Sequence, residues 1–572
     1  MSENLEIYTT PGRQSIAHLD QLPIINRSLV DYEKYSQFIG QSMVKDCITL
    51  QGTRGCPYKC AFCHKVWPKK HYVRSAGNLF EEINHYYQMG IKRFVFVDDI
   101  FNLNVENSTR FYRLLIKNGL KAQLLFPNGL RGDLLTKEYI DLMVEAGTID
   151  ISFALDTASP RLQKLIGKNL NIEKFRENVQ YTCEKHPSLI LEFQVIWGFP
   201  TETEEEALMS LDFIKSLKWL DFPYIHALKI FLNTEMEKLA IQNGVSPEDI
   251  KRSADLAYDD LPATLPFDKE FARKYKAKFL SEYFLAKDRL LAVLPNQMKL
   301  FTENELMQKY NSYLPGKFGS IKDLLEVAGI SEDELDPNGC IPGDTYSVPN
   351  LNEKIRSAFP PHEPAKDAFK VLLLDLSLYF SNQRDVLYNV VEQPLGLLYL
   401  MSYLIQQKRN TIKGKIAKSR IDFDSYEDLK ILVEEFKPDV IGVRSLSFFR
   451  NFFHEGIRMI RQWGIDVPVI AGGPYATSEY SSLLQDQNIN AAVLGEGEIT
   501  FSELLDKIME NNGKMPEDEV LKKIAGIAFI PRKNVERKGT ARIIKSETAG
   551  KLSKQREKQI LERLTIDLED EV

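Results

Sequence analysis

Three cysteines within eight residues constrain this chain more than any other feature of its sequence. In the segment GTRGCPYKCAFCHK, Cys56, Cys60 and Cys63 are separated by three and then two residues. Three thiolates bind three irons of a 4Fe–4S cubane and leave the fourth iron open to another ligand. A structural zinc site would need a fourth protein ligand, which His64 or His71 would supply. The spacing therefore favours an iron–sulfur cluster with one open iron, and a zinc knuckle is the alternative.

Length and composition indicate a soluble protein of more than one domain. A chain of 572 residues exceeds a single hydrophobic core, so two or three domains are expected. Six cysteines are too few for a disulfide framework, and the N-terminal sequence lacks a signal-peptide pattern, so we expect a cytoplasmic protein. No apolar run is long enough to span a membrane. The net charge of -7 gives no general attraction to nucleic acid, and no such partner is expected.

The sequence from 46 to 240 alternates short apolar runs with longer amphipathic runs, in the order strand then helix. Strands are predicted at 47–51, 93–97, 123–127, 150–154, 191–196 and 226–231, with helices such as 76–89 and 203–217 between them. This alternation predicts an α/β fold, a partial (β/α)6 barrel of parallel strands. The cysteine cluster directly follows the first strand, at the strand end where such barrels build their sites.

The rest of the chain divides into four further segments. Residues 1–45 are predicted to form a polar N-terminal arm, and residues 241–365 a mostly helical connecting domain. A second α/β rhythm over 366–512 predicts a smaller doubly wound, Rossmann-like domain. Residues 513–572 are a C-terminal extension with a charged tail, and the GIAFI segment near Gly526 is expected to lead only into that tail.

The cysteine motif and its placement resemble the radical SAM superfamily. The resemblance consists of Cys-x3-Cys-x2-Cys after a first strand, with the aromatic Phe62 directly before the last cysteine. It implies that Cys56, Cys60 and Cys63 hold a 4Fe–4S cluster whose open iron binds the amino and carboxylate groups of S-adenosyl-L-methionine (SAM). An electron from the cluster would cleave SAM to methionine and a 5′-deoxyadenosyl radical, which removes a hydrogen atom from the substrate.

Two segments stand where the resembled family places contacts to SAM. FVFVDDIFN ends the second strand with Asp98 and Asp99, which the resemblance assigns to the SAM ammonium group. NGLRGD supplies Arg131 at the third strand end, where a guanidinium suits a carboxylate or a sugar hydroxyl. Helix capping is the alternative for the two aspartates, and a structural salt bridge is the alternative for Arg131.

A third segment, SFALDTASPRLQKLIGK, resembles one that the family usually writes with Glu-Ser. Here Asp156 and Thr157 stand in place of that pair, and Lys168 follows. Aspartate is one methylene shorter than glutamate, so the sequence leaves open which group contacts the ribose or carboxylate of SAM.

The loop after the fifth strand resembles the family's glycine-proline-glutamate-threonine loop. In VIWGFPTETEEE, Gly198 and Pro200 match, and Thr201 replaces the usual glycine. The resemblance implies that the backbone of this loop approaches the adenine of SAM. Glu202 and Thr203 suit either a ligand contact or the start of a helix.

Residues 370–508 resemble the cobalamin-binding domain that accompanies many radical SAM enzymes. Four segments in one order carry the resemblance: QPLGLLYLMSYL, KPDVIGVRSLSF, VPVIAGGPYATS and VLGEGEITFSELL. It implies that hydroxyls at a strand end bond to corrin amides or the nucleotide tail, and that glycines let the backbone approach a large planar ligand. The residues assigned to cobalamin on this basis are Ser445, Ser447, Gly472, Gly473, Gly495, Glu496 and Gly497.

The chain departs from the cobalamin-binding pattern in two ways. The Asp-x-His-x-x-Gly loop that supplies a histidine to cobalt in one group of cobalamin proteins is absent, because the loop after Leu376 reads SLYFSNQRDVLYN. Cobalamin is therefore expected to bind without a protein histidine on cobalt, or the domain has lost its cofactor. The domain also follows the barrel, whereas it precedes the barrel in most members. The connecting domain must therefore return it over the barrel mouth.

Together the resemblances imply a cobalamin-dependent radical SAM enzyme, with a methyltransferase acting on an unactivated carbon as the leading hypothesis. A second SAM would remethylate cobalt. One alternative is a radical SAM cyclase or rearrangement enzyme, and another is a non-catalytic binding protein with a degenerate cobalamin domain. The expected partners are a small-molecule or natural-product substrate and an electron donor such as flavodoxin or ferredoxin.

Overall fold

The computed structural model describes residues 6–38, 40, 42, 44–63, 69–253, 261–314, 318–335, 346–359, 362–383 and 391–532. Contacts group Ile7–Phe529 into one compact unit, and Met1–Glu6 with Ile530–Val572 into another. All contacts described below lie within Ile7–Phe529. His64 is outside the described residues. Within them, no helix has both the length and the apolar composition that a membrane crossing requires.

Strands and helices are numbered along the chain. The strands are β1 (Tyr8–Thr9), β2 (Cys47–Leu50), β3 (Thr53–Arg54), β4 (Tyr72–Val73), β5 (Arg93–Phe96), β6 (Gln123–Leu130), β7 (Thr148–Asp156), β8 (Ile190–Trp197), β9 (Phe222–Ala227), β10 (Phe369–Asp375), β11 (Ile412–Lys418), β12 (Val440–Arg444), β13 (Val469–Gly472), β14 (Ala491–Val493) and β15 (Ile527–Phe529). The α-helices are α1 (Tyr32–Tyr35), α2 (Ala76–Gln88), α3 (Val105–Lys117), α4 (Lys137–Glu145), α5 (Pro160–Leu165), α6 (Ile172–Lys185), α7 (Glu204–Ser216), α8 (Glu235–Gln242), α9 (Pro247–Ser253), α10 (Lys269–Phe279), α11 (Lys287–Leu300), α12 (Glu303–Tyr310), α13 (Ile321–Val327), α14 (Leu351–Ser357), α15 (Leu395–Lys408), α16 (Tyr426–Phe436), α17 (Arg450–Gln462), α18 (Gly473–Leu483), α19 (Glu498–Glu510) and α20 (Asp518–Leu521).

Six parallel strands form the sheet of the barrel domain, in the order β2-β5-β6-β7-β8-β9. Because this is also their order along the chain, each strand pairs with the next one after a helical crossover. The predicted partial (β/α)6 barrel is confirmed. The predicted helices at 76–89 and 203–217 are confirmed as α2 and α7, which begin after the N-caps Ser75 and Thr203.

The sixth strand of the barrel lies four residues earlier than the sequence pattern predicted. β9 covers Phe222–Ala227 and pairs with β8 from Glu192 to Trp197, whereas the prediction was 226–231. The apolar residues that suggested a strand there, Leu228 and Ile230, are buried in a separate cluster with α5 and α8. Their burial comes from packing beyond the end of the sheet, so the alternating pattern indicated a buried loop.

The second sheet domain contains β10 to β15. Its parallel strands run in the order β11-β10-β12-β13-β14, which is the 2-1-3-4-5 order of doubly wound folds. The predicted Rossmann-like fold is confirmed. In this topology the strand order reverses next to β10, and the C-terminal ends of β10, β12 and β13 face the crevice where such folds bind ligands.

The GIAFI segment contributes a strand to the second sheet, which the sequence did not predict. Residues Ile527–Phe529 form β15, which pairs antiparallel with β14 on one side and with β1 on the other. The sequence did not indicate this strand because three residues are too few to show an alternation of their own. Its partner β1 is more than 500 residues away along the chain.

The N-terminal arm crosses from the second sheet domain to the barrel domain. β1 extends the second sheet, and the backbone N–H of Asn26 donates to the hydroxyl of Ser402 at 2.8 Å. At the barrel, the backbone N–H of Ser75 donates to the carboxylate of Asp20 at 2.9 Å. The arm therefore joins two domains that are widely separated in sequence.

Two of the connecting helices, α11 and α12, pack against the end of the barrel opposite the cysteine loop. Lys309 of α12 lies 2.7 Å from the carboxylate of Glu192, near the start of β8. The ring of Tyr313 packs on Tyr224 at 4.5 Å, and Arg289 of α11 donates to the carbonyl of Leu220 at 2.9 Å. This part of the connecting segment therefore covers the bottom of the barrel.

A buried ion group fixes the arm to the barrel. The carboxylate of Glu82 in α2 lies 3.1 Å from Arg27 of the arm and 2.7 Å from Arg74, and the Glu82 side chain is 1% exposed. Arg27 also donates to the carbonyl of Thr49 in β2 at 2.7 Å. Although burial raises it, the charges of Arg74 and Arg27 leave the pKa of Glu82 below its usual range.

Replacing Glu82 should destabilise the protein strongly. Glu82→Gln leaves two buried guanidinium groups without their anion, which costs about 3 kcal/mol or more of unfolding free energy. The matched control is Glu106→Gln, because Glu106 pairs with Arg110 on the solvent-exposed face of α3 and should contribute less than about 1 kcal/mol. Urea unfolding of both variants measures the difference, and equal midpoints would contradict a structural role for the buried group.

Candidate functional site

The cysteine loop is held between a strand pair and two helices. β3 and β4 pair antiparallel, and the loop with the three cysteines connects them. The backbone N–H of Ala61 donates to the carbonyl of Ile166 at 2.7 Å, and the N–H of Met236 donates to the carbonyl of Ala61 at 2.9 Å. The loop is therefore attached at its middle to the end of α5 and the start of α8. The sequence did not predict this strand pair, because each strand has two residues.

The three thiols lie on this loop but are not gathered around one point. Among the described residues, no three His, Cys, Asp or Glu side chains are arranged as a metal site requires. Burial raises the pKa of Cys56 and Cys63, and burial followed by the charge of Asp156 raises the pKa of Cys60 to about 11. A cluster would therefore draw the thiols together and release their protons.

His71 is not positioned as a fourth ligand. Its Nε2 lies 3.0 Å from the carbonyl oxygen of Ile100, and burial lowers the pKa of the imidazole. The zinc alternative therefore finds no support at His71, and a three-cysteine donor set with an open position fits the cubane.

Asp98 and Asp99 hold the start of the cysteine loop in place. The Asp98 carboxylate accepts from the backbone N–H groups of Gly52, at 3.2 Å, and of Thr53. Asp99 accepts from the N–H of Gly55 at 3.1 Å. Burial raises the pKa of Asp98 to about 7 and also raises that of Asp99. Neither aspartate caps α3, whose N-cap is Asn104, so the capping alternative is wrong.

Arg131 supports the loop from the other side. Its guanidinium pairs with Asp133 at 2.9 Å and donates to the carbonyls of Lys168 and Asn169 at 3.1 Å each. It also lies 4.0 Å from the ring centroid of Tyr58, which belongs to the cysteine loop. The salt-bridge alternative is therefore observed, and the same side chain makes a cation–π contact with the loop.

Asp156 and Lys168 form a buried pair next to Cys60. Lys168 Nζ lies 2.7 Å from the Asp156 carboxylate and 2.6 Å from the carbonyl oxygen of Ala154. Asp156 has a positive φ of 65°, at the bend where β7 ends. Thr157 is buried, and its hydroxyl oxygen accepts from the N–H of Ser159 at 3.2 Å. The structure thus brings Asp156 and Lys168 to the cysteine loop, while Thr157 stabilises the start of α5.

The loop after β8 is built around Glu202. Its carboxylate accepts from the N–H groups of Gly198 at 2.5 Å and Phe199 at 2.9 Å, and burial raises the pKa of Glu202 to about 7. Gly198 and Thr201 both have positive φ, at 89° and 73°. Thr203 caps α7 in a capping box with Glu206. Thr203 therefore starts the helix, and Glu202 shapes the loop.

Phe62 and Pro200 lie beside this loop. The ring of Phe62 packs 6.0 Å from that of Phe199, which joins the cysteine loop to the loop after β8, and Pro200 is buried. Two buried polar atoms near here have no hydrogen-bond partner among the described residues, Trp197 Nε1 and Glu202 Oε1. Of these two residues, the sequence indicated only Glu202, as a ligand contact or a helix start, because a lone Trp carries no signal of its own.

A cavity of about 290 Å³ lies between the barrel and the C-terminal edge of the second sheet. Its wall on the barrel side consists of Gln51, Arg54 and Val97. Five of the seven residues assigned to cobalamin line it: Gly472, Gly473, Gly495, Glu496 and Gly497. The remaining wall is mainly apolar and includes Leu373, Leu395, Tyr399, Val443, Ile470, Val493 and Phe501.

Ser445 and Ser447 are outside the cavity wall. Ser445 is buried, and its hydroxyl donates to the carbonyl of Leu376 at 2.6 Å. Ser447 is also buried, and its hydroxyl has no hydrogen-bond partner among the described residues. The structure therefore gives Ser445 a role in joining β10 and β12, and it leaves the Ser447 hydroxyl available.

The barrel residues that line the cavity were not predicted from the sequence. Arg54 precedes the first cysteine by two residues, and Gln51 and Val97 end predicted strands. The sequence predicted that the second domain returns over the barrel mouth, but it did not identify these three residues as contacts of that domain. Arg444 at the end of β12 also lines the cavity and lies 2.6 Å from the buried carboxylate of Asp375. Only the folded topology brings these residues together.

Two family models match the chain in the two regions that build the site. The radical SAM superfamily model matches residues 50–214, and the B12 binding domain model matches residues 388–505. The chain carries a radical SAM domain and a B12-binding domain. Its cofactors are therefore a 4Fe–4S cluster, SAM and cobalamin, which these two kinds of domain bind.

Proteins similar in sequence to this chain include two that are named as methyltransferases. The uncharacterized methyltransferase PH0819 of Pyrococcus horikoshii is 27% identical over 42% of this chain and 51% of its own length. The cytidylyl-2-hydroxyethylphosphonate methyltransferase of Streptomyces wedmorensis is 25% identical over 49% of this chain and 54% of its own. The chain thus spans about half the length of these relatives.

One similar solved structure is the radical SAM methyltransferase TsrM from Kitasatospora setae, with cobalamin and a 4Fe–4S cluster bound. It is 18% identical, with a TM-score of 0.33, and the match covers 37% of this chain and 42% of that one.

The cavity fits the nucleotide end of cobalamin. Its volume is at the lower end of small-ligand pockets, which suits a heteroaromatic base with its sugar rather than the whole corrin. A side chain added at Gly472 or Gly495 would meet nothing within 4 Å, so these glycines leave open space along the wall. Glu496 lines the cavity, and its buried Oε1 has no hydrogen-bond partner among the described residues.

Filling this cavity should weaken cobalamin binding without unfolding the chain. Gly472 has an extended backbone, with φ of -153°, so Gly472→Leu introduces no backbone strain and places its side chain in the open space. Hydroxocobalamin affinity, measured by absorbance titration, should fall at least about tenfold. The matched control is Gly12→Leu, which also adds a side chain in open space, but away from the cavity. Unchanged affinity in Gly472→Leu would contradict the assignment of the cavity.

Proposed function

We propose that this protein is a cobalamin-dependent radical SAM methyltransferase that methylates an unactivated carbon of a small-molecule substrate. The observation that carries the proposal is the shared wall of the cavity. Residues of the barrel mouth, Gln51, Arg54 and Val97, complete a cavity whose other walls belong to the B12-binding domain. A reaction that uses both cofactors on one substrate requires this adjacency.

The two bound cofactors would supply a carbon-centred radical that removes a substrate hydrogen atom and a methyl group that takes its place. In the proposal, Cys56, Cys60 and Cys63 hold the cluster. Asp98 and Asp99 keep the loop that carries these cysteines in position through its backbone N–H groups. The side chains thus contribute mainly by positioning the cofactors, since the cofactors carry the reactive groups.

SAM would lie between the cysteine loop and the ends of β7 and β8. The Asp156–Lys168 pair offers a carboxylate and an ammonium group beside Cys60. Behind the Gly198 loop, Trp197 Nε1 and Glu202 Oε1 offer a buried donor and a buried acceptor. Both sets suit a ligand with a charged amino-acid end and a heteroaromatic end.

The methyltransferase reading draws support from the two relatives named above, whose names both state methyl transfer. The proposal places the reaction in the cytoplasm, where thiols stay reduced. It also requires a one-electron donor such as flavodoxin or ferredoxin, and a small-molecule or natural-product substrate. A cyclase or a rearrangement enzyme would use the same radical chemistry but would leave no methylated product.

Anaerobic reconstitution with iron, sulfide and hydroxocobalamin tests the proposal. With a chemical reductant and SAM, the loaded protein should form 5′-deoxyadenosine and S-adenosylhomocysteine, both measured by liquid chromatography and mass spectrometry. Formation of 5′-deoxyadenosine without cobalamin binding would favour the cyclase or rearrangement alternative. A protein that binds neither cluster nor cobalamin would contradict the proposal.

The variant Cys60→Ala tests whether cluster binding can be lost while cobalamin binding is kept. It removes one of three cluster ligands, so iron content and 5′-deoxyadenosine should fall to background, while hydroxocobalamin should still bind. Cys183→Ala is the matched control, because Cys183 is buried in α6 away from the loop, and it should retain the cluster. Retention of 5′-deoxyadenosine formation in Cys60→Ala would contradict the ligand assignment.

A further inference from the structure

The polar end of the cavity is a small charged group shared by three parts of the chain. Arg54 comes from β3 of the barrel, directly before the cysteine loop, and Glu496 and Glu498 come from the B12-binding domain. The third part is the N-terminal arm, through the backbone N–H of Ile16. Of this group, the sequence assigned only Glu496 to a cofactor, and the group lies at the boundary between the barrel and the B12-binding domain.

Arg54 is held tightly in this group. Its side chain is 4% exposed and donates to Glu498 at 2.6 Å and to the amide oxygen of Gln51 at 2.9 Å. Its guanidinium also lies 5.0 Å from the ring centroid of Tyr399 in α15. A desolvated guanidinium with these partners fixes the backbone that carries it.

Only one of the two carboxylate oxygens of Glu496 accepts a hydrogen bond within the described residues. Its Oε2 accepts from the N–H of Ile16 at 2.7 Å. Its Oε1 is buried, lies 3.8 Å from Arg54, and has no hydrogen-bond partner among the described residues. A buried carboxylate oxygen without a donor is costly, so this atom favours an occupant that brings an N–H or O–H group.

One cation therefore faces two carboxylates. Arg54 pairs closely with Glu498, but the unsatisfied oxygen of Glu496 competes for the same guanidinium. An occupant that donates to Glu496 removes this competition and leaves Arg54 on Glu498. Two residues after Arg54 stands Cys56, and the intervening Gly55 is bound by Asp99. The contacts of Arg54 therefore act on the backbone that enters the cysteine loop.

We propose that Glu496 and Arg54 couple occupancy of the cavity to the cysteine loop. Glu496 accepts a hydrogen bond from an amide or hydroxyl group of the bound cobalamin, and Arg54 acts as a positioning residue that stabilises the loop when this bond is made. The inference rests on the proposed function, because it takes cobalamin as the occupant. It adds a barrel residue, Arg54, to the determinants of cobalamin binding and of cluster retention.

The first test compares hydroxocobalamin affinities of the full chain carrying its cluster. In Glu496→Gln the amide oxygen still accepts from the N–H of Ile16, but an NH₂ group replaces the Oε1 acceptor that has no hydrogen-bond partner among the described residues. The dissociation constant should rise at least about tenfold, the effect of losing one hydrogen bond to a charged group. Glu503→Gln is the matched control, since Glu503 lies in α19, the helix that begins two residues after Glu496, pairs with Arg13 and does not line the cavity.

The second test measures transmission to the cluster. Iron release to a chelator is followed by absorbance with and without saturating hydroxocobalamin. Cobalamin should slow release severalfold in the parent chain. In Arg54→Gln this protection should disappear even when cobalamin is saturating, and Arg54→Lys, which keeps the charge, should restore part of it. A purely structural role of Arg54 would change the basal rate in all variants but not the effect of cobalamin.

The outcomes separate the inference from the proposed function. If the parent chain binds hydroxocobalamin but Glu496→Gln binds within twofold of it, the subsite is wrong and the proposed function stands. Equal cobalamin protection in Arg54→Gln and the parent chain overturns the coupling. If the parent chain does not bind hydroxocobalamin at all, both the inference and the proposed function are contradicted.

Discussion

This structure depends on the contact between the C-terminal strand ends of the barrel and those of the second sheet. Parallel strands present their loops at the C-terminal edge, so a barrel and a doubly wound sheet each build a site there. In this chain the two edges face each other, and Arg54 of the barrel pairs with Glu498 across the boundary. The cavity beside this pair has walls from both domains. Adjacency of the two cofactor sites is therefore a property of the fold.

This arrangement is held by the N-terminal arm as well as by the connecting helices. The arm adds β1 to the second sheet, contributes the Ile16 N–H to Glu496, and inserts Arg27 into the barrel next to Glu82. Within the connecting segment, α12 packs at the bottom of the barrel, where Lys309 pairs with Glu192, and α9 contacts the second domain, where Arg450 donates to the carbonyl of Lys251. The position of the second domain at the barrel mouth thus relies on the N-terminal arm together with the connecting segment.

Much of the fold and of the cysteine site was predictable from the sequence, because helices, strands and closely spaced motifs depend mainly on residues that are neighbours in the chain. The cysteine spacing indicated the cluster, and the strand and helix periodicities indicated both α/β folds. The edge strands β1 and β15 were not predictable, since two or three residues show no period and their pairing spans the chain. Asp98 and Asp99 were expected at the site, but their bonds to backbone N–H groups depend on loop geometry. Arg54 was missed because its two carboxylate partners, Glu496 and Glu498, are more than 400 residues away.

The central claim is that one chain holds both cofactors side by side. The most direct measurement is electron paramagnetic resonance of the full chain loaded with cob(II)alamin and a reduced cluster, compared with samples that contain only one of the two. If the sites share a wall, the two unpaired spins should interact, and the doubly loaded spectrum should show broadening or splitting that neither single spectrum contains. A spectrum equal to the sum of the two single spectra would contradict the account.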